Sequence, residues 1–332
     1  MARVTGMTAN GLNWADRLVD PNPLRYVPAV DAGTVQAVRL AFQRQRTGRR
    51  NWETRQTAGR IDPRNVWRND ATQMTDIFRD RRAPGATKVN VHLLVDSSGS
   101  MDWPDRPVTE ADRAYWKNTP IGNKHWPRGI KRRIERATDI SATLTEAFRS
   151  IPTVRVSVTL HTAQFHGDAD ITLYKVVESG RGAENIPSMV KMADGGNGDG
   201  YAIKHVVDLL RKESRSDEVS LLIVISDGLP SWLADRDPNT WYSLPLDQQA
   251  LANDGTALVF NAVNEARERG VRVLSVAIAD GINQSGMYGK DNVIPFDCES
   301  DDNPWGRLAV TFGAALGDTL AEAAKSKAKG RR

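Results

Sequence analysis

Five apolar runs of strand length, most of them separated by helical text, narrow the folds open to this chain more than any other feature. They are Val89 to Val95, Val154 to Leu160, Ile171 to Val177, Val219 to Ile225 and Val271 to Ala279. In the first, Val89, Val91, Leu93 and Val95 alternate with Asn90, His92 and Leu94 and lead to Asp96 in a Ser and Gly cluster, as a strand running into a loop would. Ile130 to Phe148 carries Ile134, Ala137, Ile140, Leu144 and Phe148 at helical spacing, and Tyr201 to Leu210 and Ala257 to Ala266 are further helical stretches. Strands alternating with helices predict a parallel sheet covered on both faces. The link from Leu160 to Ile171, at about ten residues, is too short for a crossover helix and predicts a hairpin. The expected fold class is therefore α/β: a doubly wound, mostly parallel sheet with one antiparallel edge strand, preceded by a helical N-terminal segment.

The chain has 332 residues, 40% hydrophobic and 26% charged, enough for one large globular domain or two small ones. No apolar run approaches the roughly 20 residues of a membrane helix, so no membrane is expected. The opening residues have no apolar stretch of signal-peptide length, and Cys298 is the lone cysteine, which points to a reducing, cytoplasmic setting. The formal charge of +4 is uneven: residues 1–88 hold 16 Lys and Arg against 8 Asp and Glu, leaving 29 against 33 for the remainder. Nucleic acid, an acidic protein surface and solvated helix faces are all compatible with that split.

Residues 1–88 read as a basic segment: an irregular, proline-containing arm to about residue 30, a short helix carrying Val35, Val38, Leu40 and Phe42, and a further stretch opened by Pro63. The sheet domain is placed at 89–325. Asn303 and Pro304 predict the start of its last helix, with Leu308, Phe312, Leu316 and Leu320 on one stripe, and 326–332 reads as a frayed basic tail.

Ligands of open α/β sheets gather outside the carboxyl ends of the strands. The first strand ends in Asp96-Ser97-Ser98-Gly99-Ser100-Met101 and the fourth in Ser226-Asp227-Gly228, while Gly195 to Gly200 opens the helix before the fourth. Asp96, Ser98 and Ser100, spaced by two, can aim three oxygens at one point. Asp227 adds a carboxylate, and Asn197 or Asp199 adds an oxygen from the glycine-rich loop. Such an all-oxygen set suits a hard cation, above all Mg²⁺, which keeps several waters. If only Asp96 and Asp227 lie near the ion, the charges balance and a position stays open for an outside carboxylate; Asp199 close by would make the site net negative.

These residues resemble the metal-ion-dependent adhesion site (MIDAS) of von Willebrand factor A (VWA) domains, a likeness that covers residues 89 to about 325. Within that superfamily the chain looks most similar to the carboxy-terminal part of cobaltochelatase CobT-like proteins. They share the Ser-Gly-Ser-Met turn and the Ser-Asp-Gly-x-Pro turn, and the segments Leu40 to Arg50, Trp52-Glu53 and Gly59-Arg60-Ile61-Asp62 are similar to what precedes the A domain there. The resemblance implies a Rossmann-like VWA fold and metal ligands at Asp96, Ser98, Ser100, Asn197 or Asp199, and Asp227. Asn197, judged by its distance from Ala202, takes the place of the family's threonine. It also implies Mg²⁺ or another divalent cation such as Mn²⁺, an acidic residue of a partner protein completing the metal site, and an AAA+ ATPase of the MoxR or CobS type as partner. The expected function is an adaptor that is not catalytic alone. The alternative is a CobT-like subunit of an ATP-dependent cobalt or magnesium chelatase, placed second because the long acidic region of full-length CobT-like subunits is not evident. Two stretches depart from the family pattern, Asp102 to Arg128 with Trp103, Trp116 and Trp126, and Ser231 to Gly255, and both are expected on the rim of the site.

Other readings fall away. The Gly195 to Gly200 loop lacks the Lys-Ser/Thr ending of a nucleotide-binding loop. No serine sits in a nucleophile elbow with a placed histidine. His161 and His166 read as solvated loop histidines rather than a zinc pair, and Cys298 as a small, partly buried side chain. Trp52 and Trp67 read as anchors of the front segment. A basic nucleic-acid-binding protein remains the weakest alternative.

Overall fold

The computed structural model describes residues 4–7, 12–15, 26–46, 51–56, 60–61, 78–82, 88–118, 126–127, 129–166, 168–215, 217–228, 230, 254–278, 281–298 and 303–329. The strands are β1 (Val4–Met7), β2 (Leu12–Ala15), β3 (Asn51–Gln56), β4 (Arg60–Ile61), β5 (Phe78–Arg82), β6 (Lys88–Asp96), β7 (Val154–His166), β8 (Asp168–Val177), β9 (Glu218–Ser226), β10 (Val271–Ile278) and β11 (Val293–Phe296). The helices are α1 (Ala32–Arg46), α2 (Glu110–Asn118), α3 (Arg133–Arg149), α4 (Asp199–Glu213), α5 (Asp254–Glu268), α6 (Gly281–Tyr288) and α7 (Pro304–Lys329).

Six strands in the order β8-β7-β6-β9-β10-β11 form the body of the main sheet, and all but β8 are parallel. β8 is the antiparallel strand expected from the short Leu160 to Ile171 link. Its hairpin with β7 is tighter than that link implies, because the two strands run on to pair His166 with Asp168. Beyond β8 the irregular arm expected before residue 30 instead contributes a short hairpin, with β2 parallel to β8 and β1 antiparallel to β2. β11 was not anticipated. It has only four residues and contains Pro295, which the edge position tolerates because one side of the strand needs no ladder partner.

The two faces bury two cores. On one, Val89, Val91, Leu93 and Val95 of β6 meet α1, α3 and α7; on the other, Leu94 meets α4 and α5 through Ala202, Val206, Val259 and Val263. The polar residues of β6 on this second face are buried with partners: His92 Nε2 lies 2.8 Å from Thr159 Oγ1, and Asn90 donates to Ser214 Oγ at 3.1 Å. This is the doubly wound, VWA-like α/β arrangement.

α7 begins as its sequence predicts, Asn303 Oδ1 accepting from Gly306 N at 2.9 Å with Pro304 in the first turn. Leu308, Phe312, Leu316 and Leu320 are all fully buried, each worth about 1.5–3 kcal/mol of transfer free energy. The helix continues to Lys329, past the point where a frayed tail was expected. None of the helices among the described residues is long and apolar enough to cross a membrane.

The front segment is helical in part only. α1 buries Val35, Val38, Ala41 and Phe42 in the same core as α3 and α7, so it belongs to the body of the domain. Just before it, Tyr26 donates to Asp139 Oδ1 at 2.8 Å, and Ala29 N bonds the same oxygen at 2.8 Å. Further on, β3, β5 and β4 form a separate antiparallel sheet where helical text was read. The stretch after Pro63, with Val66 and Trp67, lies outside the described residues, as do the side chains around Trp52 and most of Ser231 to Gly255.

Candidate metal centre

The chain runs outward on one side of β6 to β7 and β8, then returns to the other side as β9. The crevice beside the carboxyl ends of β6 and β9 is thus the switch point of the sheet. Asp96 is the last residue of β6, and Asp227 follows the last residue of β9. The glycine-rich loop is drawn to the same place by main-chain bonds: Gly99 N to Gly195 O at 2.8 Å, Asp194 N to Ser97 O at 2.9 Å, and a reciprocal pair between Ala163 and Gly196. Gly195 has φ +76°, and a Cβ there would run into the carbonyl oxygen of Ala163, so this seam between loop and strand requires glycine.

All six candidate residues come together, in two tiers. The outer tier is Ser98, Ser100 and Asp227. Ser98 Oγ and Ser100 Oγ are 3.0 Å apart, and Ser100 Oγ donates to Asp227 Oδ1 at 3.0 Å. The inner tier is Asp96, Asn197 and Asp199. Ser98 N donates to Asp96 Oδ1 at 2.8 Å, and Asn197 Nδ2 donates to Asp96 Oδ2 at 2.8 Å. Ser226 Oγ adds a 3.2 Å bond to the same oxygen. Asn197 Oδ1 accepts from Asp199 N at 2.9 Å, so the amide fixes the loop while bridging two carboxylates. The tiers meet through Ser98, and the assembly opens outward at the partly exposed Ser100.

Two side chains missed by sequence reasoning complete the site. His161, read as a solvated loop residue, is fully buried on β7, with Nε2 2.8 Å from Asp199 Oδ1. Arg133, the first residue of α3, places Nη1 2.7 Å from Asp227 Oδ2. A polar residue in the inward register of a buried strand was the available signal for His161. Nothing local marks Arg133, whose partner lies 94 positions away.

Burial sets the electrostatics. It raises the Asp96 carboxyl to about 7, a push opposed by His161 and reinforced by the charges of Asp199 and Asp227. Burial also raises Asp227, against the hydrogen bond and charge of Arg133. For His161 burial works downward, but the close contact and charge of Asp199, with the charge of Asp96, outweigh it and the pKa is raised.

The donors match a hard cation in chemistry and spacing. Adjacent oxygens of an octahedral Mg²⁺ sphere, with bonds of about 2.1 Å, lie about 3.0 Å apart. Ser98 Oγ, Ser100 Oγ and Asp227 Oδ1 stand at this spacing through the hydrogen bonds that join them, so an ion could replace those bonds with little movement of the oxygens. Among the described residues no cluster of three or more His, Cys, Asp or Glu forms a ligand cage. Asp199 turns to His161, while Asp227 is the carboxylate bonded to the hydroxyl pair and Asp96 lies behind it, tied to the backbone N–H of Ser98.

No family model matches the sequence, and no curated protein matches it. Among solved structures, the manganese-loaded TRAP protein of Plasmodium vivax aligns at 14% identity, over 69% of this chain and 73% of that one, with a TM-score of 0.39. BatB of Bacteroides thetaiotaomicron aligns at 15% identity, over 70% and 99%, with a TM-score of 0.39. The SpRpn10 VWA domain aligns at 10% identity, over 67% and 94%, with a TM-score of 0.40.

Proposed function

We propose that this chain is a metal-ion-dependent protein-binding module. A divalent cation, Mg²⁺ or Mn²⁺, would be held by Ser98, Ser100 and Asp227, with Asp96 and Asn197 behind them and Asp199 bracing the loop. The ion supplies a positive centre for an acidic side chain of another protein. Asp96 and Asp227 balance its charge, and the His161 contact keeps Asp199 from adding a third uncompensated negative charge. The observation that carries this reading is the succession of three oxygens, each 3.0 Å from the next, where the ends of β6 and β9 meet. Affinity capture with and without chelator, followed by mass spectrometry, tests it: ion-dependent retention of one partner is expected, and an identical set of bound proteins under both conditions would refute it.

From the sequence resemblance, the partner proposed is an AAA+ ATPase of the MoxR or CobS type in a cytoplasmic setting, with this chain as its adaptor. The chelatase reading is retained as the alternative on the same resemblance. Metal insertion into a tetrapyrrole by a reconstituted ATPase complex would replace the adaptor reading.

A further inference from the structure

Three arginines lie along the first turn of α3 and its approach, and they differ in what they pair with. Arg132 Nη1 lies 2.9 Å from Asp102, and Arg136 Nε lies 2.6 Å from Asp105, so both pair with carboxylates of the segment that follows Met101. Arg133 instead reaches Asp227 Oδ2 at 2.7 Å, a carboxylate of the candidate metal centre. The Asp227 side chain is 4% exposed and that of Arg133 is 22% exposed, so water screens this pair only weakly. The arginine is also held in place. Its backbone N donates to Trp103 O at 2.9 Å, and its guanidinium lies 5.8 Å from the centre of the Trp103 ring. Its Nε is buried and has no hydrogen-bond partner among the described residues, and its Nη1 is bonded to Asp227.

Resting on the metal-site reading, we propose that Arg133 is a tethered cation that competes with the divalent ion for Asp227 and so sets how tightly the site holds its ion. The two positive groups draw on one buried carboxylate, and each lowers the other's share of it. With Asp96 and Asp227 already balancing a divalent charge, a guanidinium beside them leaves the filled site with a surplus positive charge. Ion binding is weakened by that surplus. An incoming carboxylate relieves it, so the ion is held best when an acidic partner is present.

The test is calorimetric titration of Mn²⁺ into the chelator-stripped full chain, with thermal melts in the same buffers, for the wild type, Arg133→Gln and Arg133→Lys. Arg133→Gln is expected to bind Mn²⁺ about tenfold more tightly, within the usual range for coupled sites. Arg133→Lys, which keeps the charge, stays close to the wild type. The Mn²⁺-induced rise in Tm is correspondingly larger for Arg133→Gln. Unchanged or weaker binding by Arg133→Gln overturns the proposal, because a residue that merely positions Asp227 would weaken the site when removed. If circular dichroism shows that Arg133→Gln does not fold, Arg133→Met carries the same expectation. Binding by the wild type with no tightening in Arg133→Gln sinks this inference alone, whereas no binding by either the wild type or Arg133→Gln sinks the metal-site reading with it.

Discussion

Nε2 of His161 lies 2.8 Å from Oδ1 of Asp199, and both residues are fully buried. Under the proposed metal-site reading, the pair lets a third carboxylate sit near the ion without spoiling the charge balance. It also anchors the glycine-rich loop to β7, since Asp199 carries Asn197 on its backbone N–H.

Removing one partner of a buried pair leaves the other uncompensated. Asp199→Ala should therefore cost about 3–5 kcal/mol of stability. Urea denaturation of the metal-free protein measures it, and a loss within error of zero would mean that the contact is not energetically coupled to folding.

Asp96→Ala should abolish Mn²⁺-dependent stabilisation and partner capture while leaving the fold intact. Deleting this buried carboxyl, whose pKa is raised to about 7, removes a desolvation penalty, and it also takes the acceptor from Ser98 N, Asn197 Nδ2 and Ser226 Oγ, so the two effects on the metal-free protein offset. Thermal melts in chelator are expected to show a cooperative transition with a Tm close to that of the wild type. Capture that survives the substitution would make the ion irrelevant to binding.

The pH dependence follows from the same shifts. A carboxyl whose folded pKa is raised binds its proton more tightly in the native state, so metal-free stability falls as pH rises from about 4 toward 7 on account of Asp96, and Asp227 acts in the same direction. His161, also raised, contributes stability that is fully present below its unfolded value of about 6.5 and is lost as pH rises through its folded value. All three groups make the chelated protein more stable near pH 5 than near pH 8, and Mn²⁺ should narrow that gap by compensating the ionised carboxylates. Melts across this range with and without ion check it; stability that rises with pH in chelator would contradict the burial of these groups.

Gly195→Ala combines a positive φ with a collision against the Ala163 carbonyl oxygen. Strain of this kind costs about 1–3 kcal/mol. Because the loop must shift to relieve it, weaker Mn²⁺ binding is expected to accompany the lower Tm. Calorimetry and melts on the same preparation separate the two effects.

Much of the fold was readable from local pattern. The alternation in β6, the three-and-four spacing of α3 and α7, and the short Leu160 to Ile171 link each express a rule that acts over a few residues. β11 was missed because four residues with a central proline carry little period. The small sheet of β3, β4 and β5 was missed because its residues alternate too weakly to separate from helical text.

The same division holds at the site. Sequence alone determined that Asp96, Ser98 and Ser100 share one turn and that Asp227 and the Gly195 to Gly200 loop fall at neighbouring strand ends, because spacing along a strand and the side on which sheets present their loops are local properties of the chain. Only the tertiary structure decided that Asp199 faces His161 and that Asp227 is claimed by Arg133. Those contacts join residues 38 and 94 positions apart across crossover connections. A charge buried at a strand end takes whichever partner the packing of two other elements brings to it, and no pattern within either segment records that choice.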